Sequence, residues 1–367
     1  STLFPYTTLF RSDSVYVTNI GLTIHINEPG GFWDVSIVIM AMDTYARTLN
    51  PDSEEYAVVA GIIANSVNRI NVGHGEERVT TASTGPLNWA MDDCGWNIMA
   101  LILGYRYNTF LGRTSEAAVC LDYAKKLFHS TYDTYYDDAL FGGLWYNSNK
   151  TDKSIYAATV AIAGWDLYEI TGDQQIHDRM MNVYNSLENN LRRSDGLYWM
   201  SVSADGVEGR NNPYGIGEGG SCTYIGGNMA MAVLNARLGN TQKAADTAWG
   251  IAMFETTEKG AYLNDRDAWN NTFFLGMFQR EVVNTGIVDE RYNSILLATA
   301  QTILENAVFE DGYYSAAWEG PKEPSSDGYP ADYEGERNNW GRQEYGWCTG
   351  SFPKQSYTSA TTGAWPP

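Results

Sequence analysis

The sequence predicts an all-α fold, an (α/α)6 barrel in which about six helical hairpins close into a ring. Three observations support this prediction. Apolar residues recur at helical spacing through most of the chain, short polar turns alternate with longer aromatic loops, and alternating strand patterns are scarce. An open superhelix is the competing arrangement. We prefer the closed ring because no terminal hairpin has the polar outer face of a capping repeat.

Short polar turns join the predicted helices in pairs. Their centres lie roughly 50 to 65 residues apart, a period that suits one helical hairpin and a loop. The turns are "ARTLNPDSEEY", "YNTFLGRTSEA", "YEITGDQQIH", "NARLGNTQKA" and "VVNTGIVDER". The helices, each with apolar residues at i, i+3, i+4 and i+7, span 35–49, 55–70, 94–108, 116–132, 155–170, 177–191, 223–238, 241–255, 272–284 and 290–308.

Longer loops rich in glycine and aromatic residues separate the hairpins. They are "DDALFGGLWYN", "SDGLYWMSVSADG" and "EDGYYSAAWEGP". A closed ring places the plain turns on one face and these loops on the other. Since ligand sites belong on loops held by a rigid scaffold, we expect the site on the face that carries the aromatic loops.

The composition favours a neutral, sugar-like ligand. The 367 residues carry a net charge of −20 and include 12 tryptophans and 25 tyrosines. So acidic a chain repels phosphate backbones, so we expect no nucleic-acid partner. Aromatic rings beyond the needs of a core suggest surfaces on which sugar rings stack. We therefore expect an oligo- or polysaccharide substrate. We also expect the protein to be a monomer.

The cysteine and histidine patterns give no indication of a metal or a cofactor. None of the four cysteines lies in a CxxC pair, and the four histidines form no HExxH or HxH motif. We expect neither a metal nor a cofactor. No uninterrupted apolar run reaches the length of a membrane span of about 18 residues, so we expect no membrane-spanning segment.

Residues 1–12 are set apart from the fold. "TLFPYTTLFRS" matches the translation of a common DNA-sequencing adapter, so we interpret this stretch as a scar of sequencing or assembly. Residues 13–321 are predicted to form the barrel domain. Residues 322–367 are polar and rich in Pro, Gly and Tyr, which predicts an irregular tail packed on the same domain. We expect no signal peptide within these 367 residues.

Asp92 and Asp93 stand side by side where a helix is predicted to begin, in "NWAMDDCGWNIMALILGYRYN". The structural interpretation is that one aspartate caps the helix and the other is solvated. The catalytic interpretation uses both. Successive helical residues point about 100° apart, so the carboxyl ends lie roughly 5 to 7 Å apart and can flank a sugar. Unequal contact with the helix N-terminus and with nearby tryptophans would keep one ionised and the other protonated.

Five stretches carry a family resemblance by their shared order and spacing. They are "FWDVSIVIMAMDTYART", "MDDCGWNIMALILGYRYN", "DDALFGGLWYNSNKTDKSIYAATVAIAGWDLYEITGD", "TFFLGMFQR" and "AAWEGP". From about Phe32 to Pro321 the chain resembles glycoside hydrolase family 76, the endo-α-1,6-mannanases and their fungal cell-wall relatives. The first two stretches are similar to the family's first inner helix and catalytic helix. The other three are similar to its GGG(I/L)WW segment, its FKGIFxR stretch and its tryptophan-Gly-Pro ending.

The resemblance implies a fold, a reaction and a location. It implies an (α/α)6 barrel that hydrolyses internal bonds of α-1,6-mannan with retention of the anomeric configuration. Asp92 would be the nucleophile and Asp93 the general acid/base. The protein would be secreted or held in the cell envelope. A transglycosidase on cell-wall mannan, or a glycosidase for a different α-linked glycan, is the alternative within the same machinery.

Several aromatic residues are candidates for substrate binding. For each, packing in the barrel core is the competing interpretation. The aromatic candidates are Trp33, Trp89, Trp145, Tyr146 and Tyr224.

Asp137 and Asp138 form a second acidic pair, which we interpret as turn capping because it precedes glycines instead of a helix.

The chain departs from the family pattern on the binding face. "TYIGG" (223–227) stands where the family has Tyr-Asn-Gln-Gly, Tyr146 replaces the second tryptophan of the GGG segment, and Ala90–Met91 replace a polar pair. These changes put the substrate in doubt more than the mechanism. A non-catalytic glycan-binding protein, a sugar epimerase and a polysaccharide lyase are the remaining alternatives. Epimerases of this shape rely on central histidines, and lyases favour basic clefts.

Overall fold

The computed structural model describes residues 9–11, 14–17, 22–25, 31–72, 90–194, 196–199, 201–204 and 225–254, with the single positions 286, 294, 297, 298, 301, 304 and 305. The chain divides into two compact units. One comprises Ser1–Asn190 with Ser201–Gly206, and the other comprises Leu191–Met200 with Val207–Pro367. The domain boundaries expected from the sequence, 1–12, 13–321 and 322–367, stay predictions.

The described part of the first unit contains three helical hairpins. Short turns at 47–53, 111–113 and 172–173 join their helices, where the sequence predicts them. A π-helical turn, Asn68–Val72, follows the second helix directly. The helices are α1 (Gly31–Ala46), α2 (Glu54–Val67), α3 (Met91–Phe110), α4 (Thr114–Tyr135), α5 (Ala157–Thr171) and α6 (Gln174–Asn190).

Local chemistry sets the ends of these helices. The Ser53 side chain accepts a hydrogen bond of 3.1 Å from the Tyr56 N–H, which caps α2. Glu54 and Glu55 follow in the first turn, where the helix dipole favours negative charge. At the other end of a helix, Gly172 adopts a left-handed φ of 65° and its N–H bonds the Tyr168 carbonyl, which ends α5. The boundaries are therefore encoded by residues within a few positions of each end.

Helix α3 lies inside the unit. It packs against α1, α2, α4 and α5. Its buried side chains point in every direction around its axis, as expected of a helix surrounded by others. Among them are Met91, Cys94, Trp96, Ile98 and Leu101. The helix that carries the aspartate pair in its first turn is therefore enclosed by its neighbours.

A glycine one position after the Asp-Asp-Cys sequence lets α3 approach α5 closely. A Cβ atom at Gly95 would lie 2.4 Å from the Thr159 Oγ1 atom and 2.9 Å from the Val160 backbone nitrogen. No side chain fits in that space without displacing backbone. Gly95 therefore fixes the distance between the helix that carries the aspartates and the helix that follows the aromatic loop.

Short strands accompany the helices of the first unit. Strands β1 (Leu9–Arg11), β2 (Ser14–Val17) and β3 (Leu22–His25) form an antiparallel sheet in that order. Strand β4 (Asp152–Ser154) pairs antiparallel with β5 (Ser201–Ser203), with Lys153 opposite Val202. The β1 strand falls within the stretch 1–12.

The described part of the second unit contains one hairpin, α7 (Ile225–Arg237) and α8 (Thr241–Phe254). The segment before α7 is fixed to it by Tyr198, whose N–H donates to Asn228 Oδ1 at 2.8 Å and whose hydroxyl accepts from Asn235 Nδ2 at 3.0 Å. The predicted helices 272–284 and 290–308, the aromatic loop 310–321 and the tail lie outside the described residues, isolated positions apart. Among the described helices, none is long and apolar enough to cross a membrane.

Replacing Gly95 by alanine tests the close contact between α3 and α5. We expect the Gly95→Ala variant to lose about 1–3 kcal/mol of unfolding free energy, because the methyl group forces the helices apart. Gly61, inside α2, is the matched control, since a Cβ there would meet nothing within 4 Å. Gly61→Ala should gain about 0.5–1 kcal/mol from helix propensity. Urea denaturation followed by circular dichroism measures both, and equal stability changes would contradict the close packing.

Candidate active site

The loop between α4 and β4, residues 136–151, forms one wall of the candidate site. Its first part, 136–145, is closed by a bridge between Tyr136 and Leu144, and by a hydrogen bond of 2.9 Å from the Trp145 N–H to the Tyr135 carbonyl. Gly143, with φ of 91°, sits so close to α6 that a Cβ would lie 2.4 Å from Ser186 Oγ. The "FGG" sequence thus lets the backbone turn sharply and pack on a helix.

This loop, which we call the aromatic loop (136–151), is tied to the start of α3. The Met91 N–H donates a hydrogen bond of 3.0 Å to the Tyr146 carbonyl. The Tyr146 N–H in turn donates to the Asp152 carbonyl at 2.8 Å. Asp92 and Asp93 immediately follow Met91, so two backbone hydrogen bonds connect the aspartate pair to Tyr146 and to β4.

The aspartates are not the N-cap of α3. Ala90 occupies the cap position and has no side-chain hydrogen bond to the helix. The carboxylates stand at the second and third helical positions, inside the first turn. The simple structural interpretation, in which one aspartate is the cap residue and the other is solvated, therefore does not describe this helix.

Asp92 is half-buried, and its Oδ1 atom is buried without a hydrogen-bond partner. Burial raises the pKa of Asp92 to about 6, against the opposing effect of the backbone N–H groups of Asp92 and Asp93. The negative charge of Asp152 adds to the increase. A carboxylate with this pKa changes its protonation state near neutral pH, as groups in acid–base catalysis do.

Asp93 is also half-buried, and its carbonyl accepts a hydrogen bond of 2.9 Å from Asn97 Nδ2. The charges of Asp93 and Asp92 affect the pKa values of the same tyrosines. The charge of Asp92, followed by burial and the charge of Asp93, raises the pKa of the Tyr146 hydroxyl. Burial, the Cys94 thiol and both aspartates raise the pKa of Tyr135. The two acids and these tyrosines thus share one neighbourhood.

The structure adds a third carboxylate that the sequence does not indicate. Asp152, half-buried at the start of β4, accepts a hydrogen bond of 2.7 Å from Thr151 Oγ1. Burial raises its pKa, although hydrogen bonds from Thr151 and Ser201 oppose the increase. Nothing in "NSNKTDKSIY" marks it, because its place beside Asp92 depends on the path of the aromatic loop. Within the described residues, no group of three or more His, Cys, Asp or Glu side chains is arranged to hold a metal.

The predicted substrate-binding aromatics have different environments. Tyr146 is half-buried beside the aspartates, with its ring 5.9 Å from that of Tyr156. Trp145 is only 4% exposed and lies under the Lys153 ammonium group, so its described contacts are those of a packing residue. Trp33 belongs to the first turn of α1. Trp89 and Tyr224 lie outside the described residues, and the sugar-binding role of all five stays a prediction.

The chain is similar in structure to several enzymes of known class. It matches the family 76 α-1,6-mannanase of Salegentibacter sp. HEL1_6 at 20% sequence identity over 80% of this chain and 83% of that chain, with a TM-score of 0.58. An inactive variant of that enzyme, with two consecutive aspartates changed to asparagine, was solved with α-1,6-mannotriose and matches at 19% identity, the same coverage and a TM-score of 0.58.

Two further neighbours broaden the comparison. A family 76 glycoside hydrolase from a bovine Bacteroides thetaiotaomicron strain matches at 17% identity over 81% of this chain and 64% of that one, with a TM-score of 0.57. Cellobiose 2-epimerase from Bacillus thermoamylovorans B4167 matches at 14% identity over 94% of both chains, also with a TM-score of 0.57. No family model matches the sequence. No curated protein matches it either.

These likenesses show the fold. The chain has the (α/α)6-barrel fold shared by the family 76 enzymes and the epimerase, which confirms the fold class that the sequence predicts. The resemblance to family 76 noted in the sequence is likewise supported by neighbours with that fold.

Replacing Asp92 by asparagine tests its burial without any substrate. The pKa of Asp92 is raised from 3.8 to about 6, which costs the folded state about 3 kcal/mol once the carboxylate is ionised. Because the folded-state pKa lies above the unfolded value, this cost appears as the pH rises through that interval. We expect Asp92→Asn to be more stable than the wild type above about pH 7, by up to about 3 kcal/mol.

The stability difference should vanish towards about pH 3, where the carboxyl group of the wild type is mostly protonated in both the folded and the unfolded state. Urea denaturation at several pH values measures it. Asp138→Asn is the control, because Asp138 is exposed. A difference for Asp92→Asn that does not change with pH would contradict the burial of its carboxylate.

Proposed function

We propose that this protein is a retaining glycoside hydrolase of the family 76 type. It cleaves internal bonds of α-1,6-mannan, and it acts outside the cell or in the cell envelope. The observation that carries the proposal is the adjacent pair Asp92–Asp93 in the first turn of α3, with Asp92 half-buried beside Tyr146. The Salegentibacter enzyme supports it, since its variant with two consecutive aspartates replaced is inactive.

In the first step, the ionised Asp92 carboxylate attacks the anomeric carbon of the bound sugar. Asp93 donates its proton to the glycosidic oxygen, so the C–O bond breaks and the leaving sugar departs with that proton. A covalent glycosyl-Asp92 ester of inverted configuration remains. In the second step, Asp93, now ionised, takes a proton from water, whose oxygen attacks the anomeric carbon and releases Asp92. Two inversions give net retention.

The electrostatics set the condition for the first step. The pKa of Asp92 of about 6 means that the nucleophile is ionised mainly above that pH. A raised pKa also suits a general acid, so the reverse assignment, with Asp92 as acid and Asp93 as nucleophile, is the alternative. The family resemblance favours Asp92 as nucleophile, and the azide experiment below separates the two.

The substrate class follows from charge and neighbours. A chain with net charge −20 repels anionic glycans, so a neutral polymer is favoured. The Salegentibacter enzyme in complex with α-1,6-mannotriose makes α-1,6-mannan the first substrate to test. A transglycosidase or an enzyme for another α-linked glycan would use the same aspartates, with a sugar hydroxyl or a different ring in the site.

A sugar epimerase is the second candidate, because the cellobiose 2-epimerase covers 94% of this chain. Two of the histidines have described side-chain contacts. His129 lies 3.1 Å from Arg179 Nη1, and His177 lies 3.3 Å from Asp178 Oδ1, on helices α4 and α6. Neither contact involves the aspartate pair. The described histidines therefore do not support the epimerase, and incubation with cellobiose tests it.

Substitution of each aspartate tests the catalytic pair. We expect Asp92→Asn and Asp93→Asn to fold and each to lose activity on α-1,6-mannotetraose by at least about 1,000-fold, because residues that act as a unit fail singly. Asp138→Asn, which changes the exposed member of the second acidic pair, should keep wild-type turnover. Product chromatography measures all three. Near-wild-type activity of either of the first two variants would exclude the pair as the catalytic dyad.

Azide assigns the two roles. With an aryl α-1,6-mannobioside, azide should restore turnover to Asp93→Ala and give an α-glycosyl azide, because azide replaces water after Asp92 has inverted the anomeric carbon. Asp92→Ala should instead give the β-glycosyl azide by one inversion. NMR of the products distinguishes the anomers, and the opposite pattern would establish the reverse assignment.

A further inference from the structure

We propose that Lys153 is a positioning residue of the candidate active site, a buried cation that holds the aromatic loop (136–151) and, through it, the first turn of α3. The inference deepens the proposed function and rests on it. Lys153 touches neither aspartate of the pair in the described contacts. Its effect on them passes through the loop backbone.

The Lys153 ammonium group is enclosed by acceptors from the loop. It donates to the carbonyls of Ala139 at 2.8 Å, Asp137 at 3.0 Å and Gly143 at 3.2 Å, and to Asp137 Oδ1 at 3.1 Å. The side chain is 1% exposed. A buried ammonium group is unfavourable unless it is paired and hydrogen-bonded. Here both requirements are met by one segment of seven residues, so the cation fixes the path of that segment.

Aromatic rings complete the enclosure. The ammonium nitrogen lies 4.8 Å from the centre of the Trp145 ring and 5.8 Å from that of Phe141. Both distances allow cation–π attraction, which is stronger in a desolvated site. Lys153 therefore contacts the loop from Asp137 to Trp145.

The loop backbone needs such support. Leu140 and Lys150 both have left-handed φ values, 59° and 53°, although neither is glycine. The left-handed region costs a residue with a side chain about 1 kcal/mol or more, and persists where neighbours impose it. Leu140 is also 44% exposed, so its own side chain gains little from packing. The carbonyl of Ala139, directly before Leu140, and that of Gly143, three residues after it, both accept hydrogen bonds from Lys153.

The route from Lys153 to the aspartates is short. Lys153 stands opposite Trp145 in a bridge between the loop and β4, and it follows Asp152, whose carbonyl binds the Tyr146 N–H. The Tyr146 carbonyl receives the Met91 N–H at the start of α3. A loop released from Lys153 would thus shift the backbone group that closes the first turn of α3 and would admit water to Asp92.

Lys150 provides a matched comparison. Its ammonium group also pairs with Asp137, at 2.6 Å from Oδ2, but its side chain is 55% exposed. Although burial opposes the effect, the two lysines together hold the pKa of Asp137 well below its usual range. Asp137 Oδ1 also accepts a hydrogen bond of 3.1 Å from the Ala139 N–H. This contact agrees with the turn-capping role predicted for Asp137 and Asp138. Lys150→Met removes the same charge without opening the buried cage.

The test is a double-mutant cycle that needs no substrate. The stability gain of Asp92→Asn at pH 8 relative to pH 4 reports how well the loop shields Asp92 from water. We expect this pH-dependent gain in Tm to disappear in the Lys153→Met background and to persist in the Lys150→Met background. A uniform loss of stability, the effect of a merely structural lysine, would leave the gain intact in both.

Kinetics supply the second readout. On α-1,6-mannotetraose we expect Lys153→Met to lower kcat by about 100-fold, as small misplacements of catalytic groups do, with a much smaller change in KM. Lys150→Met should behave as the wild type. If the wild type itself has no glycosidase activity, the proposed function fails, while the stability cycle still decides whether Lys153 shields Asp92.

An undiminished Asp92→Asn gain in the Lys153→Met background would overturn the inference. If Lys153→Met does not fold, Asp137→Asn carries the test, because it weakens the cage and leaves the three carbonyl acceptors. The gain should then fall for Asp137→Asn and stay unchanged for Lys150→Met. Equal gains in those two backgrounds would contradict the positioning role.

Discussion

The hydrogen bond from the Met91 N–H to the Tyr146 carbonyl is the contact on which the candidate site depends. The first N–H groups of any helix lack partners within the helix, and Ala90 offers no side chain to supply one. The aromatic loop (136–151) supplies a carbonyl instead. This choice places the loop against the first turn of α3, where it covers Asp92. Burial raises the pKa of Asp92, which lies in this first turn.

That arrangement gives Asp92 a raised pKa at a cost in stability. Asp92 has a buried oxygen without a hydrogen-bond partner, and the nearby charge of Asp152 disfavours its ionised form further. Such a group destabilises the folded state at neutral pH. The surrounding structure offsets this through the close packing of α3 on α5 at Gly95 and the cage around Lys153. Both contacts keep the first turn of α3 in place.

Much of the fold could be predicted because its determinants are local. Helical periodicity located α1 to α8 to within a few residues, and Ser53 and Gly172 mark helix ends by chemistry that the sequence shows directly. The aspartate pair could be found for the same reason, since both residues lie in one turn of one helix. The family resemblance then gave a chemical role to a pattern that periodicity alone leaves open.

The rest of the site could not be predicted, because it depends on where the aromatic loop runs. Asp152 and Lys153 are unremarkable in "NKTDKSIY", and the antiparallel bridge between Trp145 and Lys153 joins them to the aromatic loop, whose Tyr146 lies beside the aspartates. Trp145, a predicted sugar-stacking residue, is buried, and the Lys153 ammonium group lies over its ring. Such contacts join residues whose spacing carries no periodic pattern, so they become visible only in three dimensions.

The titration of the Asp92 carboxyl group tests the central claim most directly. Carbon-13 NMR of protein labelled at the aspartate side-chain carboxyl carbon, compared with the same spectra of Asp92→Asn, identifies the Asp92 resonance. We expect that resonance to titrate with a midpoint near 6, the value that burial beneath the aromatic loop imposes. A midpoint at or below about 4, as for a solvated aspartate, would contradict the burial of Asp92 and the site built around it.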